Sequence, residues 1–399
     1  MTPSLVVRNV RPWAASRDAE SLDLVAVDGR IAALEADAEA PHDALEVDGA
    51  NGVLLPSFTD AHTHLDSTLL GLAFRPHTSA DGILALIEND RRHWRTAGAS
   101  VTDRATHTLG RMVEYGVTRV RSHAQIDTDC KLERLEGVLA ARAAHGERAD
   151  VEIVAFPQSG ILRDHGTTEL LDAALSGGAD LVGGIDPDGL DGDPAGHLDI
   201  VFRLAERHQC GVDFHLHDRH ELGAEQIELI AERVRALDMG GSATISHCFA
   251  LAEVDDRRRG SLIDLLASTD IAIVTVAPGG VAPLPMQALR DAGVRLGLGQ
   301  DGIRGYWSPY GNGDVLERAF LLAYGHGFRR DEQLEACVDV ATTGGAAVMG
   351  VADHSIRIGA GADFVVVSGD TVGAVLVDRP SRSVVAKAGR IVARDGMLV

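Results

Sequence analysis

His62 and His64 stand two residues apart in the run Asp60-Ala61-His62-Thr63-His64-Leu65-Asp66. In an extended run, residues i and i+2 face the same side, so both imidazoles aim at one point, as a metal ion requires. Three other segments end in similar residues: Phe214-His215-Leu216-His217-Asp218, Ser246-His247 and Gly299-Gln300-Asp301. Three neutral imidazoles (His62, His64, His215) and the Asp301 carboxylate, with one position left for water, suit Zn²⁺ or Fe²⁺. Such an ion lowers the pKa of a bound water from about 16 to roughly 7. Asp301 can ligate and also take that water's proton. His247 can orient the resulting hydroxide and stabilise the oxygen of a tetrahedral centre. Asp218 is the candidate proton shuttle to a substrate nitrogen and leaving group. His217 and His220 read as groups outside the ligand set.

One ion is expected rather than two. The chain has two lysines, Lys131 and Lys387, and neither falls where a carboxylated lysine could bridge a metal pair. Asp186, in Gly183-Gly184-Ile185-Asp186, is the remaining acidic group near such a position, and is otherwise a substrate-binding candidate.

These residues sit at the ends of apolar, β-branched runs. Eight such runs are expected as strands: 53–58, 117–122, 151–156, 181–185, 212–215, 243–246, 271–276 and 294–299. Between them lie amphipathic stretches expected as helices, such as 133–145, 196–208, 222–237 and 285–292. Alternating strand and helix means parallel strands. Eight repeats point to a (β/α)8 barrel (a TIM barrel), with its chemistry at the C-terminal strand ends. No Gly-x-Gly-x-x-Gly turn supports the alternative, an open dinucleotide-binding sheet.

The chain ends read differently. Leu5–Val10, Leu24–Val27 and Arg30–Leu34 are short strand-like runs, and Asp28-Gly29 between two of them signals a hairpin. At the far end, 363–367, 374–377, 383–386 and 390–392 look alike. The two ends are therefore expected to meet in one small flanking β-sandwich domain. The expected division is 1–55 and 351–399 for that domain and 56–350 for the barrel.

Composition narrows the function class. With 37 Lys+Arg against 59 Asp+Glu in 399 residues, the net charge is −22, which argues against nucleic acid or an anionic membrane as partner. The hydrophobic share of 45 % excludes a disordered chain. Four scattered cysteines without a Cys-x-x-Cys pair fit a reducing compartment. Met1 to Trp13 lacks the apolar stretch of a signal peptide. A cytoplasmic enzyme acting on a small molecule is expected.

The same residues make the chain resemble the amidohydrolase superfamily, and within it the cytosine-deaminase-like group. Val53-Leu54-Leu55-Pro56-Ser57-Phe58-Thr59-Asp60-Ala61-His62 is similar to the family's lead-in to its first metal motif, and Gly361-Ala362-Asp363-Phe364-Val365-Val366-Val367 to its returning β strand. Ala155-Phe156-Pro157-Gln158-Ser159-Gly160 resembles the segment whose glutamine binds the pyrimidine, which is Gln158 here. Trp307, six residues after Asp301, matches a pocket aromatic. The resemblance implies metal at His62, His64, His215 and Asp301, a catalytic His247, and by family habit a homo-oligomer. Two positions depart from the cytosine deaminases. Asp218 replaces the glutamate shuttle, which leaves Glu221 as an alternative, and Gly302 replaces a second aspartate. Ser67 stands where the triazine branch places a lysine.

The expected activity is hydrolytic deamination of a small nitrogen heterocycle, cytosine- or isocytosine-like. Metal hydroxide attacks the amino-bearing ring carbon and ammonia leaves. The alternatives are removal of an N-alkyl group from an aminotriazine-like ring, opening of a cyclic amide, and, outside catalysis, a silent scaffold.

Overall fold

The computed structural model describes residues 4–13, 20–77 and 81–399. Eight parallel strands form the larger unit: β5 (Phe58–Thr63), β6 (Val117–Gln125), β7 (Asp150–Phe156), β8 (Leu181–Ile185), β9 (Gly211–Leu216), β10 (Ala243–His247), β11 (Ile271–Thr275) and β12 (Leu296–Leu298). They pair in sequence order, and a parallel bridge from Thr63 to Asp301 brings the last strand back to the first. The barrel closes, with helices between successive strands.

Alternation on these strands follows the two-residue period. On β9, Val212, Phe214 and Leu216 point outward into the main hydrophobic core beneath the helices. Asp213 and His215 point the other way, as does His217 just beyond the strand. On β10, Ala243 and Ile245 join the same core, while Thr244 and Ser246 hydrogen-bond within the barrel. The helices are capped as their sequences suggest. Asp193 accepts the Gly196 N–H at the start of Pro194–His208, and Asp314 accepts the Leu316 N–H at the start of Val315–Gly325.

The flanking unit takes both chain ends. Its N-terminal strands are β1 (Leu5–Pro12), β2 (Leu22–Val27), β3 (Arg30–Glu35) and β4 (Leu45–Pro56). Its C-terminal strands are β13 (Phe364–Val367), β14 (Arg382–Lys387), β15 (Arg390–Arg394) and β16 (Met397–Leu398). They form one mixed sheet in the order β16-β15-β14-β13-β4-β1-β2-β3. β4 is the seam, parallel to β1 on one side and antiparallel to β13 on the other. Leu5, Val7, Leu24, Leu54, Phe364 and Val384 gather into one small core, so the sheet folds over itself like a sandwich. The alternate residues Val53, Leu55, Val365 and Val385 belong to the barrel's core instead. Asp28 and Gly29 both have positive φ (48° and 76°), as do Asp395 and Gly396 (50° and 77°), which is what type I′ hairpin turns need.

Two expectations change. The run 53–58 is not the first barrel strand: residues to Pro56 finish β4, and the barrel begins at Phe58. The segment 374–377 is not a strand but lies in a helix, Val372–Asp378. Thr371 caps that helix by accepting the Ala374 N–H, and Val375 and Leu376 are buried in the barrel core. Capping and packing outweigh the β preference of its valines. No described helix is long and apolar enough to cross a membrane.

Candidate active site

The site lies at the C-terminal strand ends. His62 on β5 and His64 just after it, His215 on β9, His247 at the end of β10 and Asp301 just after β12 converge there. His64 Nε2 is 3.2 Å from Asp301 Oδ1 and 3.2 Å from His215 Nε2. His62 Nε2 is 3.7 Å from the same carboxylate oxygen. Ligand atoms of His62, His215 and His247 also lie within 4.8 Å of one another. All four expected ligands therefore meet at one point, beside His247.

The donor set fits a cation. His62 Nε2 and both nitrogens of His247 are buried without a hydrogen-bond partner, an expensive state unless something binds there. Burial pushes His62 down to about 4 and holds His215 and His247 well below the usual imidazole range. Neutral imidazole is the form that ligates. Burial alone would raise the Asp301 carboxyl, but the neighbouring imidazoles of His62, His64 and His247 hold it well below the usual carboxylate range.

A chain of buried polar groups fixes the His62 tautomer. The Ser246 hydroxyl donates to Asp213 Oδ1 (2.9 Å), so His62 Nδ1–H donates to Ser246 Oγ (2.9 Å) and Nε2 keeps its lone pair. Asp213 is held by Arg121 Nη1 (2.9 Å), and Arg121 Nε donates to Glu152 (2.6 Å). On the other side of β5, Asp60 accepts the backbone N–H groups of His62 (3.2 Å) and Gln300 (3.1 Å). That carboxylate ties the first barrel strand to the last beneath the site. Several rim residues carry left-handed backbone: Asp186 (φ 33°), His247 (φ 68°) and Asp301 (φ 63°). Such strain is typical where geometry serves function.

A cavity of about 520 Å³ opens above these groups, lined by His64, Gln158, His215, His217, Asp301, Trp307 and Arg318 among others. Gln158 donates from Nε2 to Asp90 (3.4 Å), and Arg134 holds Asp90 in turn (2.5 Å). Trp307 presents an indole N–H with no acceptor. Asp186 does not line the cavity. It accepts the His217 N–H (2.5 Å) and Nδ1–H (2.8 Å), and so holds that imidazole. Asp218 is not brought to the cavity either: its Oδ2 accepts the Gly189 N–H (3.1 Å). Glu221, the alternative shuttle, pairs with Arg258 at 2.7 Å.

His217, read as lying outside the ligand set, stands in the cavity wall with its ring 4.2 Å from that of His247. Sequence reasoning also missed His123 and Arg318. His123 is fully buried, neither of its nitrogens has a hydrogen-bond partner, and its ring is 4.1 Å from that of His62. Its spacing after Arg121 was the available signal, one residue past the expected strand end. Arg318 lies on a helix, where the strand-end pattern gives no warning.

A (β/α)8 barrel with His-x-His on its first strand, a histidine on the fifth and an aspartate after the eighth defines the metal-dependent hydrolase class. The chain belongs to the amidohydrolase family, hydrolases of non-peptide C–N bonds, which matches residues 78–393. It is 29 % identical over 404 residues to N-isopropylammelide isopropyl amidohydrolase of Pseudomonas sp. (strain ADP), covering 99 % of this chain and 98 % of that protein. The crystal structure of N-isopropylammelide isopropylaminohydrolase from Burkholderia multivorans superposes with a TM-score of 0.95 at 39 % identity, over 100 % of both chains. That of 5-methylcytosine deaminase from Klebsiella pneumoniae gives 0.84 at 25 % identity, over 98 % of this chain and 97 % of that one. The likeness to deaminase-like amidohydrolases carried by the sequence motifs holds.

Proposed function

We propose that the protein hydrolytically removes an amino substituent, free or N-alkylated, from a small nitrogen heterocycle. The observation that carries this reading is the convergence of His62, His64, His215 and Asp301 at the floor of a cavity sized for one ring. These four residues would hold one divalent ion, Zn²⁺ or Fe²⁺. Bound there, it would supply Lewis acidity and a water acidic enough to attack near neutral pH.

The protein's own groups divide the remaining work. Asp301 Oδ1 takes the proton of the attacking water. His217 gives up the proton from its cavity-facing nitrogen to the ring or leaving nitrogen, while its Nδ1–H stays on Asp186. This role passes to His217 from Asp218, whose carboxylate faces the Gly189 loop. His247 donates to the oxygen that gains charge as the ring carbon becomes tetrahedral. Gln158 and Trp307 hold the ring, and Phe156, stacked on His215 at 3.9 Å, keeps the floor dry.

One observation favours an alkylamine over ammonia as leaving group. A second pocket of about 50 Å³, lined by His247, Thr275 and His326 as well as by Phe249, Leu284 and Leu322, shares Pro278 with the main cavity. It has room for a short branched alkyl group. Both named isopropylammelide hydrolases carry such a group in their substrate's name, and both match this chain over essentially its whole length. We place the enzyme in the cytoplasm as a homo-oligomer.

The test is a release assay with metal-loaded protein over cytosine, isocytosine and amino- and isopropylamino-substituted triazinediones. Isopropylamine release faster than ammonia release supports the alkylamine reading. Retention of the substituent with gain of one water would mean ring opening. No turnover of any of these by protein holding stoichiometric metal would sink the proposal.

A further inference from the structure

The cavity wall is short of counter-charge. Arg318, on helix Val315–Gly325, lines it and donates one hydrogen bond, from Nη1 to the Val276 carbonyl (3.1 Å). No carboxylate lies within ion-pairing distance of it among the described residues, in a chain where acids outnumber bases 59 to 37. Among the described residues, Arg318 is the only lysine or arginine lining the cavity. Asp301, the one carboxylate lining the cavity among the described residues, sits 3.2 Å from His64, and its longer-range attraction together with that of Asp60 does not offset the burial of the guanidinium. An unpaired guanidinium at a cavity wall is costly unless a ligand completes it.

The helix that carries Arg318 is anchored at its start. Asp314 caps that helix, and the buried Arg382 of the flanking sheet pairs with Asp314. Trp307, another lining residue, carries a buried indole N–H without an acceptor. A cationic donor at the wall, with an unsatisfied N–H on another lining residue, favours a ring that brings oxygens and negative charge. A guanidinium meets such oxygens with charge-assisted hydrogen bonds.

Resting on the reading above, we propose that Arg318 selects an oxo-substituted ring bound as its conjugate base. The substrate class is then an acidic, imide-type amino heterocycle, in which a ring N–H between two carbonyls has been lost and the charge lies on the oxygens. A neutral aminopyrimidine such as cytosine would leave Arg318 unanswered.

Barbiturate and uracil test this without turnover. They are rings of similar size, the first an anion and the second neutral near pH 7. Calorimetric titration into metal-loaded wild type, Arg318→Gln and Arg318→Lys should show barbiturate binding at least ~10-fold tighter than uracil to wild type. Arg318→Gln should weaken barbiturate roughly 30-fold or more and leave uracil within about twofold, with Arg318→Lys between. Equal weakening of both rings would make Arg318 a structural clamp on Val276 and overturn the inference alone, as would unchanged barbiturate binding. If wild type takes up neither ring, the heterocycle reading of the site falls with it.

Discussion

At the site, two adjacent residues exchange expectations. Asp218 carries the carboxyl that a shuttle needs, but it is His217 that lines the cavity, while Asp218 faces Gly189. His217→Asn or Asp186→Asn should cut kcat by roughly 10² to 10⁴ while the protein keeps its metal, whereas Asp218→Asn should stay near wild type in a stopped amine-release assay. Asp218 has a different signature. Burial, reinforced by the charge of Asp186, pushes its carboxyl up to about 6. The unfolded chain ionises near ~4, so the fold favours the protonated form and stability falls as pH rises from about 4 to 6. In metal-stripped protein, thermal melts should show Asp218→Asn above wild type near pH 8 and level with it near pH 4. A constant gap would refute the assignment. Asp301→Ala should lose both bound metal, read by elemental analysis, and turnover. The convergence of the proposed ligands was legible because two-residue spacing on a strand fixes direction. The choice between His217 and Asp218 was not, because it turns on whether one side chain bonds to Asp186 or to Gly189.

Single strands carry the support for those ligands. Inward residues of β6, β9 and β10 connect Glu152 through Arg121, Asp213 and Ser246 to His62. Ser246→Ala should lower metal affinity by about 10 to 100-fold with the fold intact, measured by competition with a chelating dye. Unchanged affinity would mean that packing alone orients His62. Most barrel strands could be read from apolar runs near their true bounds, since outward residues must face helices. The first could not. β4 and β5 are separated by Ser57 alone, and the apolar run 53–58 crosses that junction. Val372–Asp378 likewise reads as strand by its valines and becomes helix through the Thr371 cap and the core waiting for Val375 and Leu376.

In the whole molecule, the flanking sheet does more than cover one side of the barrel. Arg382 is buried, pairs with Asp314 and so anchors the helix that carries Arg318. Arg382→Met strands a buried carboxylate and should cost roughly 3–5 kcal/mol in denaturant melts; a loss within experimental error would show the link to be dispensable. The seam strand β4 has a further consequence. Its β1 edge is paired as soon as the first fifty-odd residues have formed, but its β13 partner, Phe364–Val367, comes last to the sheet's centre. On the ribosome, the whole barrel sequence must therefore be made while one apolar edge of β4 stays open. A nascent chain stalled before residue 364 would be a target for chaperones and for sticking to its own copies, and the final tenth of translation is what closes it.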